Sequence, residues 1–209
     1  MRVLGIDPGI TRCGVGVVDI DVSRVASLVY VAVIRSEPNL ATQFRLLKIS
    51  EGIAATITRF SPEIVALERP FAKENRQSVT TTMQAMGVAM AEAGRAGLPV
   101  ALHTPSEVKA AVSGNGAATK AQVEAMIARI LRLDKPPKPA DAADALAVAI
   151  THAWRGTGIL GSGIDGDVSV SLSGGVKTRV GTKLTAAQQI WAQAEAQSRR
   201  SGAVRRHSR

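Results

Sequence analysis

The sequence predicts an α/β domain built on a mixed central sheet, and three observations carry that prediction. Three short stretches rich in Val and Ile open the chain, separated only by brief polar turns. Short apolar runs then alternate with longer segments of helical spacing. Two capping-box patterns fall where such helices would begin. Strands joined by tight turns pair antiparallel, whereas strands separated by a helix return parallel.

Arg2–Asp7 reads as a buried strand, and Gly14–Ile20 and Val25–Ile34 complete an antiparallel meander. Leu40–Phe60 has helical spacing, with Phe44, Leu47, Ile53 and Ile57 among its apolar positions and Pro62 as its stop. Glu63–Glu68 (EIVALE) is a short apolar run ending in a carboxylate. The charged loop RPFAKENRQ leads into a helix from Ser78 to around Ala96, and Pro99–His103 is another strand. Thr104-Pro105-Ser106-Glu107 has capping-box form with proline at the first helical position, and Gly114-Asn115-Gly116 breaks that helix. Thr119-Lys120-Ala121-Gln122 opens the next helix, whose Val123, Met126, Ile127, Ile130 and Leu131 form an amphipathic stripe. Pro136, Pro137 and Pro139 precede a last, Ala-rich helix from Ala140 to around Trp154. Beyond Arg155 the composition shifts to Gly and Ser. The expected division is therefore a domain over 1–155 and a flexible basic extension over 156–209, in which Thr185–Ser198 carries a weak helical signal.

At 209 residues with 45% hydrophobic but only 3% aromatic content, the core must be built from Ala, Val, Ile and Leu. The single cysteine, Cys13, excludes an internal disulfide, suits a reducing compartment and reads as a small core residue. No signal-peptide pattern is present, and no apolar run approaches the roughly 18 residues needed to span a membrane. The expectation is a soluble cytoplasmic protein. A net charge of +9 points to a polyanionic partner. From residue 160 onward there are eight Lys and Arg against three Asp and Glu, so over half of that charge sits in the tail. A basic tail is ordinarily a solvated tail, so the body must supply a nucleic-acid logic of its own.

The carboxylates supply it. Asp7 and Glu68 end apolar strands, and Asp141 and Asp144 stand at i and i+3 of PADAADALA, on one face of the last helix. Singly each has an ordinary reading: a turn residue, a strand-end charge, a helix N-terminal acid favoured by the dipole. Asp144, one turn in, fits the last reading less well. Together, four acids on apolar elements would be costly if buried and unpaired. A divalent cation resolves that cost, and all-oxygen ligation suits Mg²⁺ or Mn²⁺. Two such ions can activate a water and stabilise the leaving oxygen of a phosphodiester.

The segments LGIDPGITRCGVGVVD, ALERPF, GNGAATKAQV and PPKPADAADALAVAITHAW, in this order and spacing over about residues 1–155, resemble the RuvC family of Holliday junction resolvases. The resemblance implies a ribonuclease H-like fold, a homodimer, and Mg²⁺-dependent cleavage of four-way DNA junctions in recombination and repair. It implies Asp7, Glu68, Asp141 and Asp144 as the catalytic set. Asp7 would bridge two Mg²⁺ per subunit (Mn²⁺ substituting), Glu68 and Asp144 would each hold one ion, and Asp141 would assist. The products would carry a 5′-phosphate and a 3′-hydroxyl. Partnership with a branch-migration helicase complex is likewise implied.

Phe71 lies among Arg69, Lys73 and Arg76, where an aromatic either stacks on an unpaired base or anchors its loop. The resemblance favours stacking, and these four residues are candidate DNA contacts. Lys120, after a Gly-rich turn at a helix start, occupies a plausible phosphate corner. Lys109 would by default be a solvated charge, and both match family lysines. Met86 departs from the basic residue of many relatives, leaving one phosphate contact missing or supplied elsewhere. His103, His152 and Trp154 read as structural. The final RRSGAVRRHSR either adds non-specific phosphate contacts or has no dedicated role.

The rival readings are an actin-like or sugar-kinase phosphotransferase, a non-catalytic junction binder, and a ribonuclease H-like nuclease acting on another nucleic-acid structure. The first needs a second domain of comparable size, for which 1–155 leaves no room. The second makes no use of four carboxylates.

Overall fold

The structure, a computed structural model, describes residues 1–69 and 76–156, and of 76–78 the backbone alone. Its elements are β1 (Arg2–Asp7), β2 (Arg12–Ile20), β3 (Ala26–Arg35), α1 (Thr42–Phe60), β4 (Ile64–Glu68), α2 (Arg76–Arg95), β5 (Val100–His103), α3 (Pro105–Ser113), α4 (Lys120–Ile130) and α5 (Ala140–Arg155). The strands form one sheet in the order β3-β2-β1-β4-β5. β1 pairs antiparallel with β2 and β2 with β3, whereas β1–β4 and β4–β5 are parallel. The expected mixed α/β sheet is therefore present.

Strand alternation sorts the core into two layers. Leu4, Ile6, Val15, Val17, Val65 and Leu67 meet Ile49 and Ile53 of α1 and Ala85 and Ala89 of α2. Val3, Val18, Ile64, Ala66 and Ala101 face the other way, toward Ile127 of α4 and Leu146 and Ile150 of α5. Helices thus cover both faces, which suits the unbroken apolar character of β1 and β4. Both capping boxes form: Thr104 with Glu107, and Thr119 with Gln122.

Two expectations need correcting. Phe44 and Leu47 do not join the buried stripe of α1 but are 55% and 51% exposed. The stripe is Ile49, Ile53, Thr56 and Ile57. At about 100° per residue, Phe44 and Leu47 fall roughly half a turn away from it. The helix also starts at Thr42 rather than Leu40, because residues 37–40 close a turn in which the Leu40 N–H donates to the Glu37 carbonyl. Met86, where a basic residue would have offered a phosphate contact, is buried in the core beside α1. Cys13 is fully buried, its thiol pushed up to about 12 by burial, as a core residue should be. Trp154 closes the end of α5 by donating its indole N–H to the Arg24 carbonyl. The weak helical signal at Thr185–Ser198 and the rest of the extension past Gly156 lie outside the described residues.

Candidate active site

The alternation that builds the core also aims the acids. On β1 the side facing α5 is Val3, Gly5 and then Asp7. On β4 it is Ile64, Ala66 and then Glu68. Ile6 and Leu67 are register partners in the parallel pair, so Asp7 and Glu68 leave adjacent strands side by side, at the carboxyl end of the sheet.

α5 is brought down onto this end by glycine. A Cβ on Gly14 would stand 2.0 Å from the Asp141 carbonyl oxygen, and one on Gly5 2.1 Å from that of Ala145. Only hydrogen at both positions lets a helix backbone lie directly on the strands. Ala142, Ala143, Ala145 and Ala149 keep the helix side of the contact equally thin. Gly14 is the register partner of Asp7, so the contact that seats the first turn of α5 also sets Asp141 and Asp144 beside Asp7.

The four carboxylates feel one another. Asp7 is pushed up to about 7, first by burial and then by the negative charges of Asp144, Glu68 and Asp141, with Lys120 pulling the other way. Two cations lean in: Arg12 Nε stands 3.1 Å from Asp141 Oδ2, and Lys120 Nζ donates to Asp144 Oδ2 at 2.7 Å. Partial burial works against the Lys120 ammonium, but its bond to Asp144 and the surrounding carboxylates outweigh this and hold its pKa above the ordinary value. Lys109 is half-buried on α3 and, among the described residues, forms no ion pair with the acids. Arg69 is exposed just past β4, its N–H donating to the His103 carbonyl. Phe71 and Lys73 lie outside the described residues, as does the side chain of Arg76, which begins α2.

Two features were not foreseen. Arg12 reaches Asp141 because β2 begins at Arg12 rather than at Gly14, which puts Arg12 two residues before Gly14 on the same face of the strand. His103 and His152, each expected to be structural, form a buried pair with Nε2 and Nδ1 3.2 Å apart, tying the tip of β5 to α5. Burial and then the charge of His152 push His103 down to about 4.

The chemistry of the donor set fits a hard divalent cation: four carboxylates, no sulfur, and one acid whose charge its surroundings disfavour. Among the described residues no three candidate ligands are gathered into a closed cage. Asp141 and Asp144 are instead turned to Arg12 and Lys120, cations that supply part of the positive charge the cluster calls for.

A sheet of this order, with acids at the carboxyl ends of its central strands and on the helix crossing them, has the ribonuclease H-like architecture of nucleases. The comparisons narrow the class. The family model "Crossover junction endodeoxyribonuclease RuvC" matches residues 3–152, and the chain belongs to that family. A protein of that name from Leifsonia xyli is 53% identical over 210 residues, covering 100% of this chain and 99% of its own length. Another from a Nocardioides species is 62% identical over 156 residues, 75% of this chain and 88% of the relative. The solved structure "T. thermophilus RuvC in complex with Holliday junction substrate" superposes with a TM-score of 0.73 at 36% identity, covering 77% of this chain and 99% of that one. No helix among the described residues is long and apolar enough to cross a membrane.

Proposed function

We propose that this chain resolves Holliday junctions, acting as a structure-specific endonuclease of the bacterial cytoplasm on four-way DNA. The observation that carries the chemistry is the coupling of Asp7 to Glu68, Asp141 and Asp144 at one end of the sheet. It joins a family assignment that spans the same residues.

Asp7, Glu68, Asp141 and Asp144 would hold Mg²⁺, with Mn²⁺ a substitute and two ions per subunit the expected number. Bound there, the metal supplies Lewis-acid stabilisation of the phosphodiester and lowers the pKa of an attacking water. Asp7 would be one of the residues that hold the metal once it is deprotonated, and its raised pKa places that proton loss near neutral pH. With Asp144 engaged on the metal, its present partner Lys120 would be placed to meet the incoming phosphate. Arg12 plays the matching part for Asp141. Hydrolysis would leave a 5′-phosphate and a 3′-hydroxyl.

Symmetric nicks on a four-way substrate call for two sites about a two-fold axis, so the working form is a homodimer, with α2 the candidate interface. Arg69, Phe71, Lys73, Arg76, Lys109 and Lys120 would contact the DNA, Phe71 by stacking. A branch-migration helicase complex is the expected partner in the cell. Asp7→Asn should bind a synthetic four-way junction like wild type yet leave it uncut in Mg²⁺. Cleavage by that variant at the wild-type rate would remove Asp7 from the mechanism.

A further inference from the structure

Beside the acids lies a cationic groove of which only Arg12 has a part in the contacts proposed above. Arg12 and Arg35 are direct register partners on β2 and β3, so their side chains leave the sheet on the same face. Both line a groove of ≈ 540 Å³, together with Thr11, Ser36, Glu37 and Pro38. Like charges placed directly opposite one another destabilise a sheet, and the acids nearby do not relieve both. Asp141 takes Arg12. Glu37, on the groove wall, is held by the Lys48 ammonium at 2.6 and 2.8 Å. Arg35 is exposed and, among the described residues, has no ion-pair partner.

The walls are fixed in place. Ser36, buried, donates its hydroxyl to the Ile10 carbonyl at 2.5 Å, and its N–H to the Thr11 carbonyl at 3.1 Å. Arg45, reaching over from α1, donates to the Ser36 hydroxyl at 3.0 Å and to the Thr11 hydroxyl at 2.6 Å. A third guanidinium therefore pins both hydroxyls of the groove, and two more stand at its rim without a full complement of anions. The missing element is an anion with several acceptor oxygens, which a guanidinium fork matches in a way a point cation does not.

We propose that this groove binds a backbone phosphate of the DNA strand that crosses the acidic site, with Arg35 as the direct contact and Arg12 shared between Asp141 and the DNA. The inference rests on the nuclease reading above. Arg12 sets the location, since one side chain both reaches the acidic site and lines the groove. In the sheet order the groove lies on the β3 side of β1, opposite the β4 side from which Arg69 projects. The DNA would thus be held on both flanks of the carboxylates rather than on one.

The test is equilibrium binding to a synthetic four-way junction and to a linear duplex in EDTA, so that cleavage does not intervene, across a series of salt concentrations. Arg35→Ala should weaken binding several-fold and reduce the slope of log Kd against log salt by about 0.9, the signature of one phosphate no longer neutralised. Arg35→Lys should recover the slope and part of the affinity. Arg59→Ala measures generic loss of charge, since Arg59 is exposed at the far end of the sheet, next to Phe60, whose carbonyl accepts from Arg2. It should keep the wild-type slope. The proposal is overturned if Arg35→Ala, with unchanged melting, matches Arg59→Ala in slope and affinity. Wild-type protein that bound duplex as tightly as junction would count against the resolvase reading. The Arg35 slope, measured on either DNA, would still decide the groove.

Discussion

Asp7 holds its proton up to a pH of about 7 when no metal ion faces it, because burial and three neighbouring acids oppose its charge more than Lys120 favours it. In an unfolded chain the same carboxyl titrates near 3.8. Between those values the folded state binds more protons than the unfolded one, so this residue's contribution to stability falls as pH rises through the window. In EDTA, Asp7→Asn should therefore melt above wild type at pH 8, with the gap closing toward pH 4. A variant that melts at or below wild type at pH 8 would show that Asp7 is not under this strain. Mg²⁺ should raise the wild-type melting temperature at pH 8 and do so far less for Asp7→Asn, since only the former gains a ligand. His103 has the opposite sign. Its folded value of about 4 lies below the ordinary 6.5, so its contribution is intact above 6.5 and is lost as pH falls through 4. Replacing it with Gln should flatten the acid limb of the stability profile between those values, read as the urea midpoint at each pH.

At the scale of elements, the contact between α5 and the first two strands does most to assemble the site. Gly14→Ala would drive a methyl to 2.0 Å from a backbone oxygen of the residue that carries one of the acids. The helix must lift, taking Asp141 and Asp144 from Asp7. Cleavage should fall by orders of magnitude, and stability should fall by about 1–3 kcal/mol, the range for overpacking a closed contact. Gly94→Ala is the counterpart: it lies in α2 with nothing among the described residues within 4 Å of the added methyl, and should stabilise by about 0.4–1 kcal/mol. Much of this was legible beforehand. Strand-end acids, two capping boxes and an i, i+3 acid pair are local patterns, and local patterns survive folding. What escaped depended on space. Phe44 and Leu47 have helical spacing among themselves, but only the packing of α1 shows that the buried face is the one carrying Ile49 and Ile53. Arg12 became part of the site through the register of β2 on β1 and the closeness of α5, neither of which periodicity reports.

For the whole molecule the question is which charges select a junction and which merely attract DNA. Residues 1–159 hold 18 basic against 14 acidic side chains, a small excess, while five arginines fall within the last eleven residues. Cations held beside the acids, such as Lys120 and Arg12, would meet phosphates at positions the fold dictates and so favour one DNA geometry over another. Arginines of the Gly- and Ser-rich extension would add non-specific phosphate contacts, which any polyanion satisfies equally. Changing Arg199, Arg200, Arg205, Arg206 and Arg209 to Gln in the full chain should therefore weaken junction and duplex binding by the same factor. The slope of log Kd against log salt should drop by about 0.9 for each phosphate that these arginines neutralise in the wild type. The ratio of junction to duplex affinity should stay at its wild-type value, as should the cleavage rate at saturating enzyme in low salt. A fall in that ratio would mean that the extension reads junction geometry. An unchanged slope would mean that it makes no contact with DNA, leaving the body to supply the electrostatic attraction alone.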